Sequence, residues 1–124
     1  MNGFQELIKN RVMHRDFKPA NVFLNNQILK IGDFGLSKMG FDMTKTCVGT
    51  PLTQSPEILL GLSNQYGNKI DLWSIGITFH CMLFGLKGPF PAASLAELKE
   101  QVKKISGKNI TIPEEIPVSV ECKD

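Results

Sequence analysis

The sequence predicts a mostly α protein with one small β-hairpin, an α+β fold expected to be truncated at both ends. Three stretches point there. Residues 68–85, "NKIDLWSIGITFHCMLFG", are apolar on nearly every side, as a helix running through a core would be. Residues 94–107, "SLAELKEQVKKISG", put Leu95, Leu98, Val102 and Ile105 on one stripe, with Ser94 and Glu97 as a capping box and Gly107 as the stop. Residues 21–33, "NVFLNNQILKIGD", are two short apolar runs around Asn25 and Asn26. That is a hairpin pattern, with a turn type that Gln27 leaves open.

The remaining elements follow in chain order. "FQELIKN" (4–10) spaces Phe4, Leu7 and Ile8 like the last turns of an amphipathic helix. Pro19 makes the polar stretch around it a loop. From Asp33 to Glu57 the chain is rich in Gly, Thr and Ser with little periodicity, and loops of that length tend to be functional or mobile. "PEILLG" (56–61) reads as a short helix, opened by Pro56 and ended by Gly61. "TIPEEIP" (111–117) reads as an extended loop, and "SVECKD" (119–124) as the opening of a further helix. The chain is thus expected to start inside one helix and end inside another: one partial domain over residues 1–124.

Composition narrows the class. The 124 residues suffice for one core, and 42% hydrophobic with 21% charged is ordinary for a globular protein. A net charge of +2 without a basic run argues against a nucleic-acid partner. Cys47, Cys81 and Cys122 are odd in number and in no metal-ligand spacing, so they read as reduced thiols of a cytoplasmic protein. Glu6 and Lys9 rule out a signal peptide within the first ten residues. The longest apolar stretch, 72–86, contains His80 and is too short to span a bilayer.

The chemistry concentrates in "HRDFKPANVFL" (14–24) and in "GDFG" (32–35). Asp16 and Asp33 are hard oxygen donors and Asn21 adds a carbonyl oxygen, a set that suits Mg2+ shared with substrate phosphates. Lys18 is a compact cation suited to a phosphoryl oxygen. Gly32 and Gly35 flank the second carboxylate, as a backbone that turns sharply would require. A hairpin from Asn21 to Asp33 brings its ends together, so Asp16, Lys18, Asn21 and Asp33 could converge. The residues alone leave open a solvated loop followed by an unrelated hairpin.

The motif order resolves this. "HRDFKPAN" followed by "DFG" resembles the catalytic loop and metal-binding motif of eukaryotic protein kinases. Five fixed positions in His-Arg-Asp-x-Lys-x-x-Asn match by chance roughly once in a few million starts. "GTPLTQSPE" (49–57) resembles the substrate-receiving loop, with Ser-Pro-Glu where many kinases have Ala-Pro-Glu. "DLWSIG" (71–76) resembles the start of the buried helix of the large lobe. The resemblance covers essentially the whole chain and implies the C-terminal lobe of the kinase fold, without the small lobe. "KPANVFL" and "VGTPL" are similar to NIMA-related kinases; "PFPAASLAELKEQVKKISG" is similar to the autophagy-initiating (Unc-51-like) kinases.

The resemblance implies roles for individual residues. Asp16 would orient the substrate hydroxyl and accept its proton, and Lys18 would steady the transferring phosphoryl group. Asn21 and Asp33 would hold Mg2+ on ATP. Thr50 and Pro51 would belong to the substrate loop, and Lys18 with Thr50 resembles the serine/threonine class. Arg15 would grip a phosphate on the activation loop, with Thr46 the first candidate phosphosite and Thr44 the second. His14, Phe34 and Gly35 would be structural, and Asp71 would hydrogen-bond the catalytic-loop backbone. Glu57 would lack its usual arginine partner. Thr53 departs from the family, which mostly carries Tyr there. The sequence also contains no Gly-rich loop, strand lysine or helix glutamate for ATP. Two readings follow: a serine/threonine kinase acting on protein substrates, seen as a fragment, or a catalytically dead lobe that binds a substrate, a regulator or a full-length kinase.

Overall fold

Helix α1 (Asn2–Lys9) leads into strand β1 (Val12–Met13), which turns into the polar loop and a 3-10 turn at Pro19–Asn21. The computed structural model describes residues 2–40, 48–63, 65–85 and 87–105. Strands β2 (Val22–Asn25) and β3 (Ile28–Ile31) form the expected antiparallel hairpin, with Val22 opposite Ile31 and Asn25 opposite Ile28. Asn26 and Gln27 both have positive φ, +48° and +62°, the requirement of a type I′ turn. The turn that the sequence left open is therefore of the kind whose twist matches the strands.

The stretch after Asp33 is more ordered than its composition suggests. Strand β4 (Lys38–Met39) pairs antiparallel with β1, Val12 opposite Met39. Two residues are too few to show a period of two, so this pairing had no signature in the sequence. A second 3-10 turn, Pro51–Thr53, opens on a proline, and helix α2 (Pro56–Leu59) does likewise. Gly61, at φ +64°, follows α2 as expected.

Helices α3 (Lys69–Phe84) and α4 (Leu95–Ile105) build the core. Leu59, Ile77, Cys81, Phe90, Leu98 and Val102 are buried against one another, and Trp73 stacks on Phe90 with ring centroids 6.1 Å apart. At the head of α4 the Glu97 N–H donates to Ser94 Oγ at 3.2 Å. The Glu97 carboxylate in turn accepts the Ala93 N–H at 2.9 Å, one residue beyond the usual capping box.

Two expectations need correction. Helix α3 is not covered on all sides: Leu72, Phe79 and Met82 are 61%, 53% and 49% exposed. An all-apolar helix buries only the faces that meet other elements, and α3 turns Ile70, Asp71, Ser74, Ile77, Thr78 and Cys81 inward, against the two 3-10 turns and the α2–α4 core. Leu95 is likewise half exposed although it belongs to the α4 stripe, which buries Leu98 and Val102. Thr44, Thr46, Cys47, Gly107, Cys122 and the 111–124 stretch lie outside the described residues.

Candidate active site

The polar loop is held open from behind by helix α3. Asp71, in its first turn, accepts the His14 N–H at 2.8 Å on Oδ2 and the Arg15 N–H at 2.9 Å on Oδ1. Two bonds on successive amides fix the backbone where Arg15 takes a φ of +68°, a conformation that a bulky side chain adopts only under external constraint. Burial pushes the Asp71 carboxyl above its ordinary range, and the two N–H bonds offset only part of that.

His14 is fully buried and serves as a joist. Its Nε2 donates to the Gly32 carbonyl at 3.0 Å, and its Nδ1 accepts the Asp16 N–H at 3.4 Å. Its ring meets Phe34 at 5.1 Å and Phe17 at 5.8 Å, and Phe17 meets Phe4 of α1 edge-on at 4.7 Å. His14 and Phe34 thus join the polar loop, the end of the hairpin and the first helix.

On this frame sits a three-residue network. Asp16 Oδ2 pairs with Lys18 Nζ at 2.7 Å. Asp16 Oδ1 accepts both the Thr50 N–H at 2.9 Å and the Thr50 hydroxyl at 2.8 Å. Lys18 Nζ also donates to Thr50 Oγ1 at 3.0 Å, which closes the triangle. Burial alone would raise the Asp16 pKa, but the hydrogen bonds from Lys18 and Thr50 outweigh it and hold the carboxyl below its ordinary value. Asn21 is buried and spends its Nδ2 on the Asp16 carbonyl at 2.9 Å.

Asp33 is exposed, and among the described residues its carboxylate makes no bond to Asp16, Lys18 or Asn21; only its neighbour Gly32 is tied to the cluster. The Gly32 N–H donates to the Asn21 carbonyl at 3.0 Å, where the two ends of the hairpin meet. Asp33 itself carries the positive φ, +58°, and its Oδ1 accepts the Gly35 N–H at 3.3 Å. This corrects the glycine expectation: the left-handed residue is Asp33, not Gly32 or Gly35. Gly32 is small for another reason, since a Cβ there would lie 2.6 Å from the Phe23 ring.

Arg15 Nε donates to the Leu36 carbonyl at 2.6 Å. Pro51 is exposed at the start of its 3-10 turn. Glu57 lies in the first turn of α2, and no ion pair to it occurs among the described residues. Thr53, where the family pattern has Tyr, is buried and donates to the Thr50 carbonyl at 3.2 Å, so it braces the residue that binds Asp16. Sequence reasoning missed Gly49 and Gln54. A Cβ at Gly49 would lie 2.5 Å from the Arg15 carbonyl, and Gln54 Nε2 bonds the Val48 and Gly49 carbonyls at 3.2 and 3.3 Å. Gly49 was at least visible within "GTP"; nothing in the sequence marks Gln54.

The residues fit a Mg2+ shared with phosphate. With its amide nitrogen committed to Asp16, Asn21 is left with a carbonyl oxygen, and Asp33 adds a carboxylate. Among the described residues no three His, Cys, Asp or Glu cluster closely enough to hold a metal by themselves. Two hard donors and no more is the set that Mg2+ takes when phosphates and water complete its shell.

Comparison with known proteins gives the family. The protein kinase domain family matches residues 1–124, and the chain belongs to that family. Among its relatives is the serine/threonine-protein kinase atg1 of Dictyostelium discoideum, 36% identical over 99% of this chain and 18% of that protein. The serine/threonine-protein kinase PLK1 of Xenopus laevis is 42% identical over 84% of this chain and 18% of its own length. The human serine/threonine-protein kinase Nek5 is 37% identical over 77% of this chain and 14% of its own length. The atg1 and Nek5 matches fit the two subgroups the sequence suggested, and polo-type kinases match at similar identity. The chain spans under a fifth of each of these three proteins. Among the described residues, no helix is long and apolar enough to cross a membrane.

Proposed function

We propose that residues 1–124 are part of the large lobe of a cytoplasmic serine/threonine protein kinase. The complete enzyme transfers the γ-phosphate of ATP to a protein hydroxyl. The observation that carries this is the closed Asp16–Lys18–Thr50 network, braced from behind by Asp71.

Asp16 has one acceptor position to offer. Oδ1 already takes two bonds from Thr50, whereas Oδ2 takes one from Lys18. A substrate hydroxyl would take the remaining lone pair of Oδ2, beside the Lys18 ammonium. A carboxylate held below its ordinary pKa is a weak base, so Asp16 first orients the hydroxyl and receives its proton only as the phosphoryl bond forms. Lys18, already next to that oxygen, lies where negative charge on the phosphoryl group would develop. Asn21 and Asp33 would hold Mg2+, which neutralises charge on the ATP phosphates when bound. Arg15 would receive the phosphate of Thr46, or of Thr44, in exchange for its bond to Leu36.

The 124 residues contain no Gly-rich loop to cover the ATP phosphates and no counterpart of the small-lobe lysine that pairs them, so the isolated chain should bind Mg-ATP weakly and phosphorylate almost nothing. The test uses the full-length product of the gene that encodes this chain, assayed for phosphate transfer from ATP to a generic basic protein. Activity is expected, with Asp16→Asn and Asp33→Asn each abolishing it. An inactive full-length product would overturn the reading and favour the dead binding lobe; full activity in either variant would remove that residue from the proposed machinery.

A further inference from the structure

Gln54 has no part in the reaction proposed above, yet it holds three successive backbone carbonyls. Its side-chain Nε2 donates to the Val48 carbonyl at 3.2 Å and to the Gly49 carbonyl at 3.3 Å. Its main-chain N–H donates to the Thr50 carbonyl at 3.1 Å. A carbonyl oxygen only accepts, so these partners fix which end of the carboxamide faces them, and the amide has one N–H for each.

The residues held in this way have little else to hold them. Residues 48–50 belong to no helix or strand, so no ladder of backbone bonds supports them. Among the described residues the bonds to the Val48 and Gly49 carbonyls come from Gln54 alone. Gly49 sits at φ +102°, and glycine is the residue with the most backbone freedom to restrain. Thr50 follows directly. It makes both of its bonds to Asp16 Oδ1, through its N–H at 2.9 Å and its hydroxyl at 2.8 Å. A small rotation at Gly49 would swing both donors off the carboxylate. The Thr53 hydroxyl and N–H cannot prevent this, because both go to the Thr50 carbonyl and leave Gly49 unheld.

We propose that Gln54 is a positioning residue for phosphotransfer: its carboxamide clasps the Val48 and Gly49 carbonyls and thereby aims the Thr50 N–H and hydroxyl at Asp16. Gln54 acts through Thr50 and not on the reacting atoms. With Oδ1 taken by Thr50, Oδ2 is left for the substrate hydroxyl. A loosened Thr50 would let the carboxylate rotate and misplace that acceptor. The catalytic consequence rests on the kinase reading, whereas the clasp stands on the hydrogen bonds alone.

The test uses the full-length product of the gene that encodes this chain, carrying Gln54→Met, which keeps the length and loses both donors. Hydrogen exchange at the Thr50 amide, read by mass spectrometry on short peptides spanning it, should accelerate while the α3 amides keep wild-type protection. A misplacement of about 1 Å can cost about 100-fold in rate, so kcat for transfer to a generic basic protein should fall about 10- to 100-fold with the KM for ATP unchanged. Gln54→Glu also keeps the length and lacks the donors, and should give the same two results if Gln54→Met fails to fold. Wild-type protection of Thr50 in the folded variant would overturn the clasp. Faster exchange with kcat unchanged would overturn the positioning role and leave only a loop brace. A wild-type protein that transfers no phosphate would instead overturn the kinase reading, and exchange at Thr50 would still decide the clasp.

Discussion

Replacing Asp71 by alanine tests the frame on which the site depends. The side chain is 7% exposed and accepts two backbone N–H bonds, 2.8 and 2.9 Å long, from His14 and Arg15. Without it both amides lose their acceptor, and each buried unsatisfied donor costs about 1–3 kcal/mol. The gross loss is then about 2–6 kcal/mol. The native state already bears a cost for burying this carboxylate, as its raised pKa shows, which trims the net loss to about 2–4 kcal/mol. Against a domain stability of about 5–15 kcal/mol that is a large fraction. Urea unfolding followed by Trp73 fluorescence reads it well, because Trp73 is the only tryptophan and stacks on Phe90 in the core. At a slope of about 2 kcal/mol/M, the midpoint should fall by about 1–2 M. Hydrogen exchange at the Arg15 amide should accelerate as well. Asp71→Asn keeps one acceptor oxygen and should lose less. A midpoint within about 0.3 M of wild type, with Arg15 still protected, would refute the strut.

Other outcomes are expected on the same grounds. Gly49→Ala should cost at least about 1–2 kcal/mol in urea unfolding, because φ is +102° and the new Cβ would press on the Arg15 carbonyl, a backbone atom that cannot swing aside; a wild-type midpoint would mean the contact is not made. Asp16 has a depressed folded pKa, so its stability contribution is present above its unfolded value near 3.8 and fades as pH falls through the lower folded value. The stability difference between wild type and Asp16→Asn should therefore stay flat at neutral and mildly acidic pH and shrink only at the acid end; a change near neutrality would contradict the Lys18 and Thr50 pairing. Thr46→Ala in the full-length protein should lower phosphotransfer, and unchanged turnover would remove Thr46 as the activating site. The isolated chain should melt at low temperature, given the exposed Leu72, Phe79 and Met82 on α3; a reversible transition at high temperature would show that this face is covered.

The sequence by itself determined what depends on local chemistry. Residue order within "HRDFKPAN" and "DFG" carried the proposed site, because each group needs a particular functional atom at a particular step along a short loop. The hairpin, α3 and α4 were legible because two apolar runs, an apolar block and a 3.6-residue stripe are properties of neighbours in the chain. Tertiary structure alone decided what depends on distant partners. The β1–β4 pairing joins segments too short to show a period. The positive φ fell on Asp33 and not on its flanking glycines, and the Gly32 N–H and carbonyl are tied down by Asn21 and His14, partners that only the fold brings near. Which face of α3 is buried followed from where the two 3-10 turns and the α2–α4 core lie, not from the helix's own composition. Thr53 and Gln54 took on bracing roles through the Val48, Gly49 and Thr50 carbonyls, which come within reach only once residues 48–54 have folded back on themselves. A sequence names the atoms available for bonding, and the fold decides which of them come within 3 Å of one another.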